Sequence, residues 1–322
     1  MNDSHLTLNN KKTHFILDTD MAPDSWAAVL FTVLHPNTDL LAVSVSGTGE
    51  THGEIGAHNA QRLLTLAGRT DVPVGFGPSK PLKGNEHFPA LMRFIIDHMM
   101  WLKIPKADPS LPIHDSIDLI SNILRESKEK VTIAAVGPQT NLASILIKYP
   151  DLKSKIKGIY IMGGALDIPG NIKEIAMWKA NTTAEWNFFC DPLAAKTVLD
   201  SGVPVWLIPL DATNQVPVTQ DFMTQLASKA HTPAGEFISS MLNLLVVKMR
   251  ANETFYLWDP ITTACALDPS LAQFEECNVD VVTKAGREWG RVMNTANGTH
   301  IHAARTLNHE QFEKTIIKVV SK

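Results

Sequence analysis

Cysteine is scarce in this chain. Three residues, Cys190, Cys265 and Cys277, are spread through 322 positions with no metal-ligand spacing. That excludes a disulfide scaffold or a zinc cluster, and the odd count fits a reducing compartment. No apolar run approaches the ~18 residues that cross a bilayer, and the polar Met1–Lys12 leader has no apolar signal-peptide core. Basic residues hold no excess. The 29 Lys and Arg are outnumbered by 33 Asp and Glu, a net charge of −4, which argues against a phosphate-backbone binder. The P-loop, G-x-G-x-x-G and G-x-S-x-G patterns are absent, which removes the phosphate-cradling nucleotide enzymes and the serine nucleophile elbow. His52 and His58 lie six apart, the wrong spacing for one helix face. The expectation is a soluble, cytoplasmic protein that engages neither nucleic acid nor membrane.

What is present is an alternation of apolar strand-like runs and helical segments. Thr13–Asp18 reads as a buried strand, Ser25–His35 as a helix apolar nearly all round, Leu40–Ser46 as a strand, Glu54–Ala67 as a helix stopped by Gly68, and Val72–Phe76 as a strand. This order implies a parallel sheet with right-handed crossovers. The pattern breaks over 83–114, where four prolines interleave with Phe88, Phe94, Met99, Met100 and Trp101. That insertion reads as a packed helix, with a lid or an oligomer surface as alternatives. The alternation then resumes with helix Ser116–Ser127, strand Val131–Val136, a helix from Asn141, strand Ile156–Met162, helix Pro192–Ser201 and strand Val205–Leu210. Thr232-Pro233 opens a long helix to Arg250. Val279–Thr283 and Arg291–Asn294 suggest a late hairpin, and His309–Val320 a closing helix. With no repeat and no linker, the fold class is a single α/β domain over 13–322 with a mostly parallel open sheet flanked by helices.

The chemistry gathers at strand ends. The first strand runs into Asp18-Thr19-Asp20, with Asp24 close behind, so three carboxylates fall within seven residues. Crowded carboxylates repel one another and hold protons, unless a hard cation such as Ca²⁺ or Mg²⁺ joins them. The plainer reading is a turn in which Asp20 or Asp24 caps the next helix. Other strands end in Gly47-Thr48-Gly49-Glu50, in Gly137-Pro138-Gln139-Thr140-Asn141, in Met162-Gly163-Gly164 and in Pro209-Leu210-Asp211. In a parallel sheet these ends meet on one edge, where ligands bind. Ala184-Glu185-Trp186-Asn187 and Leu257-Trp258-Asp259-Pro260 add two polar-aromatic clusters. Alone, Asp259-Pro260 reads as a helix start and Glu185 as an exposed charge.

Taken together and in order, Leu17-Asp18-Thr19-Asp20…Asp24, Gly137-Pro138-Gln139-Thr140-Asn141-Leu142-Ala143, Met162-Gly163-Gly164-Ala165…Gly170-Asn171…Ala184-Glu185-Trp186-Asn187, Pro209-Leu210-Asp211-Ala212-Thr213 and Trp258-Asp259-Pro260 resemble the inosine–uridine-type nucleoside hydrolase family. The resemblance implies hydrolysis of an N-glycosidic bond to free base and ribose, with a bound Ca²⁺ holding the attacking water and the ribose diol. Asp20 matches the family's general base, itself a metal ligand. Ser25, Asp259 and the carbonyl of Val136 fall at the other metal positions. Asp24, Thr48, Met162, Asn171, Glu185, Asn187 and Trp258 match the substrate-binding set, and Asp18 an orienting residue behind it. A homo-oligomer, dimer or tetramer, is also expected, since an exposed apolar insertion at 88–101 would suit self-association.

This chain departs from the pattern in four places. Ser25 stands where the family has a metal-binding Asp, so one neutral oxygen replaces a carboxylate and calcium affinity should fall. Glu50 is the candidate to compensate. Met21-Ala22 replace the usual Pro-Gly. Thr48 stands where many members have Asn, and Trp258 where several have a His that assists base departure. Tryptophan cannot act as an acid but can stack, which favours a purine leaving group. The main reading is an active metal-dependent hydrolase. The alternative is a degenerate member that binds a ribosyl ligand with little turnover because of Ser25. A dehalogenase-like phosphatase shares the D-x-D but leaves the 162–187 motifs unexplained.

Overall fold

A computed structural model describes residues 12–172, 180–249 and 254–322. The leader expected over 1–12 lies outside the described residues except for Lys12. Strands β1 (Thr13–Thr19), β2 (Thr38–Val45), β3 (Val74–Phe76), β4 (Ile113–Asp115), β5 (Val131–Ala135), β6 (Ile156–Met162), β7 (Val205–Ile208), β8 (Ala272–Val281), β9 (Val292–Asn294) and β10 (Thr299–Leu307) form one sheet. Its order is β4-β3-β2-β1-β5-β6-β7-β10-β8-β9. β1 to β7 pair in parallel and β10 joins β7 in parallel. Only the β10-β8-β9 edge is antiparallel. The mostly parallel sheet read from the alternation is therefore present.

Alternation along each central strand feeds two cores, one per sheet face. Phe15 and Leu17 of β1, Ala134 of β5, and Tyr160 and Met162 of β6 enter one cluster. Ile16, Ile133, Ala135, Ile159 and Ile161 enter the other. Helix α1 (Pro23–Leu34) is buried nearly all round because it lies among helices. Its main helical partner is α11 (Trp258–Leu267). The chain order reverses at β1, which has β2 on one side and β5 on the other, and that switch point is where open α/β sheets hold ligands.

Several boundaries move. The first helix starts at Pro23, two residues before the expected Ser25, so Asp24 and Ser25 sit in its first turn. The long helix expected to reach Arg250 ends as α-helix α10 (Pro233–Leu242) and continues as a π-helical turn over Asn243–Met249. Arg250 lies outside the described residues. The late hairpin exists as β8 and β9, but its first strand starts earlier, at Ala272, and β10, unanticipated, inserts between β8 and β7.

The insertion holds helix α3 (Ala90–Asp97) and a turn in which Met99, Met100 and Trp101 take φ of 48°, 51° and 55°. Three successive non-glycine residues in the left-handed region are costly. The packing that offsets this strain is visible, since Met99 and Met100 are buried. Arg93 of α3 donates to the carbonyls of Gly47 (3.1 Å) and Thr51 (2.5 Å). Asp97 accepts from the His52 backbone N–H (2.9 Å) and pairs with its ring Nδ1 (2.6 Å). The insertion is therefore riveted to the loop after β2, with Leu91, Phe94 and Trp101 left exposed.

Candidate active site

Between the C-terminal ends of the strands and the inserted α3 lies a cavity of about 820 Å³, within the range of small-molecule sites. Asp20, Asp24, Glu50, Val136, Met162, Asn171, Glu185, Asn187, Trp258 and Asp259 line its polar end. Phe88, Met92, Ile95, Trp186, Phe255 and Tyr256 contribute to its apolar walls. Nine residues assigned from sequence thus converge, although they come from segments up to 239 positions apart (Asp20 to Asp259). Ser25 and Thr48 are not on the cavity wall.

Asp20 follows the end of β1 and is 2 % exposed. Its Oδ2 accepts the Glu50 backbone N–H at 3.0 Å and its Oδ1 that of Ala22 at 3.3 Å. The space it occupies exists because its neighbours lack side chains. A Cβ on Gly49 would stand 2.0 Å from the Asp20 Cβ, and one on Gly137 2.8 Å. Met21 sits at φ 61°, a value closed to proline. The departure from Pro-Gly therefore accompanies a different loop, pinned where the Trp26 indole donates to the Met21 carbonyl at 2.8 Å.

α1 and α11 bring three more oxygen-bearing side chains together. Asp24 Oδ2 accepts the backbone N–H of Asp259 at 3.0 Å. The Ser25 hydroxyl donates to the Asp259 carboxylate and lies 3.4 Å from Asp20 Oδ1. Burial pushes the carboxyls of Asp20 and Asp259 up, Asp259 further through repulsion from Asp24, Asp20 and Glu50. Asp24 is raised to about 7, first by burial and then by Asp20. Among the described residues, no Lys, Arg or His forms an ion pair with Asp20, Asp24, Glu185 or Asp259.

The opposite wall is built by hydrogen bonds. Glu185 caps α6 (Trp186–Cys190), accepting from the N–H groups of Asn187 (2.8 Å) and Phe188 (3.3 Å) and from Gly164 (2.9 Å). It is 2 % exposed, so it is no surface charge, and burial raises its carboxyl to about 7. Asn187 donates to the carbonyls of Val136 (3.3 Å) and Met162 (3.1 Å), tying the ends of β5 and β6. Asn171 accepts the Trp186 N–H at 3.1 Å. Trp186 stacks on Phe88 of the insertion, ring centres 4.2 Å apart.

Two assigned residues have internal partners instead. Thr48 hydrogen-bonds Ser46 (3.0 Å) and Thr140 (2.9 Å), so its hydroxyl is committed away from the cavity. Asp18, fully buried, accepts from Ser44 (2.6 Å) and Asn141 (2.9 Å) behind Asp20, and burial lifts it to about 7. Sequence reasoning missed Asn214, which lines the cavity and accepts the Trp258 indole N–H at 2.9 Å. The sequence offers a lid as one alternative for the insertion that carries Phe88 but does not say which strand edge it covers, and gives no sign of Met92.

Among the described residues, no three His, Cys, Asp or Glu side chains are arranged to hold a metal by themselves. The donor chemistry nevertheless fits a hard cation in kind. It is oxygen throughout, the carboxyls of Asp20, Asp24 and Asp259 are buried and among the described residues form no ion pair with a basic side chain, and Ser25 bridges two of them where a further carboxylate would raise the charge.

The family profile described as inosine-uridine preferring nucleoside hydrolase matches residues 15–314. The pyrimidine-specific ribonucleoside hydrolase RihA of Shewanella baltica (strain OS185) is 30 % identical over 283 residues, covering 84 % of this chain and 83 % of that protein. RihA of Escherichia coli O1:K1 / APEC is 32 % identical over 280 residues, covering 84 % of each. Among solved structures, the purine-preferring ribonucleoside hydrolase from Gardnerella vaginalis superposes with a TM-score of 0.82 at 26 % identity, covering 96 % of this chain and 98 % of that one. The inosine-uridine preferring nucleoside hydrolase from Bacillus anthracis gives 0.81 at 26 %, covering 96 % and 99 %.

Proposed function

The chain belongs to the inosine-uridine preferring nucleoside hydrolase family of N-glycosyl hydrolases, and on that premise we propose that it splits ribonucleosides into free base and ribose with the help of a calcium ion. The single observation that carries the reading is the convergence of Asp20, Asp24 and Asp259 at one end of a cavity with apolar walls. Asp20, Asp259, Ser25 and the Val136 carbonyl would hold the ion. Bound Ca²⁺ supplies positive charge that ionises the surrounding carboxylates and lowers the pKa of water.

The chain's own groups do the rest. Asp20 takes the proton of the attacking water. Asp24 accepts a ribose hydroxyl, and Asn171 and Asn187 present amides to the sugar. Glu185, held by three backbone N–H groups, places negative charge near the oxocarbenium-like sugar. The apolar wall offers the base a surface to pack against. Glu50 lines the same end of the cavity and repels Asp259, which supports it as the carboxylate that makes up for Ser25.

A purine leaving group suits the aromatic surface of Trp258, Tyr256 and Trp186. The pyrimidine-specific relatives at 30–32 % identity weigh the other way, so rates on inosine, adenosine, uridine and cytidine decide between them. Self-association through exposed Leu91, Phe94 and Trp101 and a cytoplasmic setting belong to the same reading.

The second reading, a ribosyl-binding protein with little turnover, is favoured by Ser25 alone. Titrating Ca²⁺ into chelator-stripped protein by calorimetry, with and without ribose, tests both. Binding followed by hydrolysis supports the enzyme. No binding at millimolar Ca²⁺, even with ribose, overturns it in favour of the second reading.

A further inference from the structure

The mechanism above leaves the departing base without assistance. When the C1′–N bond breaks, its electron pair goes to the base, which becomes anionic until it gains a proton. Trp258 stands beside the metal-site carboxylate and has no proton to give at neutral pH. Something else must meet the charge on the base.

Asn214 follows α8 (Leu210–Thr213) and lines the cavity beside Trp258. Its side-chain oxygen accepts the Trp258 indole N–H at 2.9 Å. An indole nitrogen is a donor only, so the amide oxygen must face it and the NH₂ must face away. Among the described residues, that NH₂ has no hydrogen-bond partner. The amide is thus held in one orientation, with two donors unengaged by the protein, on a residue that lines the cavity beside Trp258. A donor already fixed in place stabilises developing negative charge without reorganising.

Resting on the proposed hydrolase reading, we infer that Asn214 is the catalytic hydrogen-bond donor to the departing base, and that Trp258 is the positioning residue that keeps its NH₂ aimed at the base. The atoms balance without a protein acid. Water's oxygen bonds C1′, its proton goes to Asp20 and then to solvent, the C1′–N pair leaves on the base, and the base collects its proton from solvent. Asn214 donates a hydrogen bond throughout and no proton.

The test compares inosine, a poor leaving group, with p-nitrophenyl β-D-ribofuranoside, whose phenolate leaves unaided. Asn214→Asp keeps an oxygen for the Trp258 indole and replaces the NH₂ by an acceptor. The measured quantity is the ratio of kcat on inosine to kcat on the p-nitrophenyl riboside in calcium-loaded enzyme, which cancels losses from folding or metal binding. The expected result is a fall in this ratio of about a hundredfold, with Asn214→Leu behaving alike. Any fall beyond tenfold supports the inference, and a smaller one overturns it, leaving Asn214 an anchor for Trp258. If wild-type enzyme prefers uridine, uridine replaces inosine in the ratio, and wild-type enzyme that cleaves the p-nitrophenyl riboside but none of inosine, adenosine, uridine and cytidine overturns the inference while sparing ribosyl hydrolysis. Wild-type enzyme that cleaves neither the riboside nor any of these nucleosides overturns the proposed function and the inference with it.

Discussion

The hydroxyl of Ser25 donates to the carboxylate of Asp259, 234 residues away in sequence. One hydrogen bond thus joins the first turn of α1 to the first turn of α11 where the acidic residues meet. Restoring charge at this point should strengthen cation binding and weaken the metal-free fold. For Ser25→Asp, calorimetry should give Ca²⁺ affinity at least tenfold tighter, about 1.4 kcal/mol. Melting in chelator should show a loss of about 1–3 kcal/mol, because another buried carboxyl has no basic partner. If neither quantity moves, charge count does not govern this site.

Gly49 gives Asp20 its place. Gly49→Ala would put a methyl 2.0 Å from the Asp20 Cβ, so one of the two must shift. Overpacking of this kind costs about 1–3 kcal/mol. Displacing a general base by even 1 Å lowers turnover by about a hundredfold. Steady-state kinetics and a denaturant melt on the variant should show a rate loss far larger than the stability loss accounts for.

Arg93 fastens the roof of the cavity through Gly47 and Thr51. Arg93→Ala removes two charge-assisted hydrogen bonds, worth about 1.5–3 kcal/mol each at most. The expectation is a KM raised about tenfold and faster proteolysis within 83–114, with little change in the melting of the sheet. Unchanged KM together with unchanged proteolysis would show that the insertion stays closed without this clamp.

His35 ends α1, where burial pushes its imidazole down to about 4, against a rise from Asp268 and a further fall from Lys322. Its Nδ1 accepts the Asn37 N–H at 3.3 Å, which suits the neutral ring. The unfolded chain takes up a proton near pH 6.5 and the folded chain only near 4. Stability should therefore be complete above about pH 6.5 and decline as pH falls toward 4, by up to about 3 kcal/mol. The buried carboxyls act in the opposite sense over much of this range, so the informative quantity is the difference from His35→Asn. That variant should lose less stability than wild type between pH 7 and 4.5.

Strand and helix alternation was readable locally, because each strand must feed two buried faces and each helix must hide one. Asp20 was legible as a candidate because carboxylates at the end of a parallel strand break an otherwise apolar pattern, whereas Met162 and Asp259 became candidates only through the ordered family motifs. Strand β10 was missed although His300-Ile301-His302-Ala303 alternates, since a period of two does not say which neighbour a strand will take. One neighbour, β8, precedes it closely in sequence, whereas the other, β7, lies far back along the chain. Glu185 looked like a surface charge because capping by three backbone N–H groups leaves no trace in residue order.

The sequence by itself determined that this is an α/β chain whose acidic strand ends collect on one sheet edge, and its ordered motifs named the family. Periodicity and polarity are properties of short segments, and they survive without knowledge of contacts. Only the tertiary structure decided that Ser25 bridges Asp20 and Asp259, that Thr48 turns inward to Thr140, that the 83–114 insertion roofs the cavity, and that Asn214 is oriented by Trp258. Each of these depends on which distant segments pack together, and packing is decided by the whole core rather than by any window of residues.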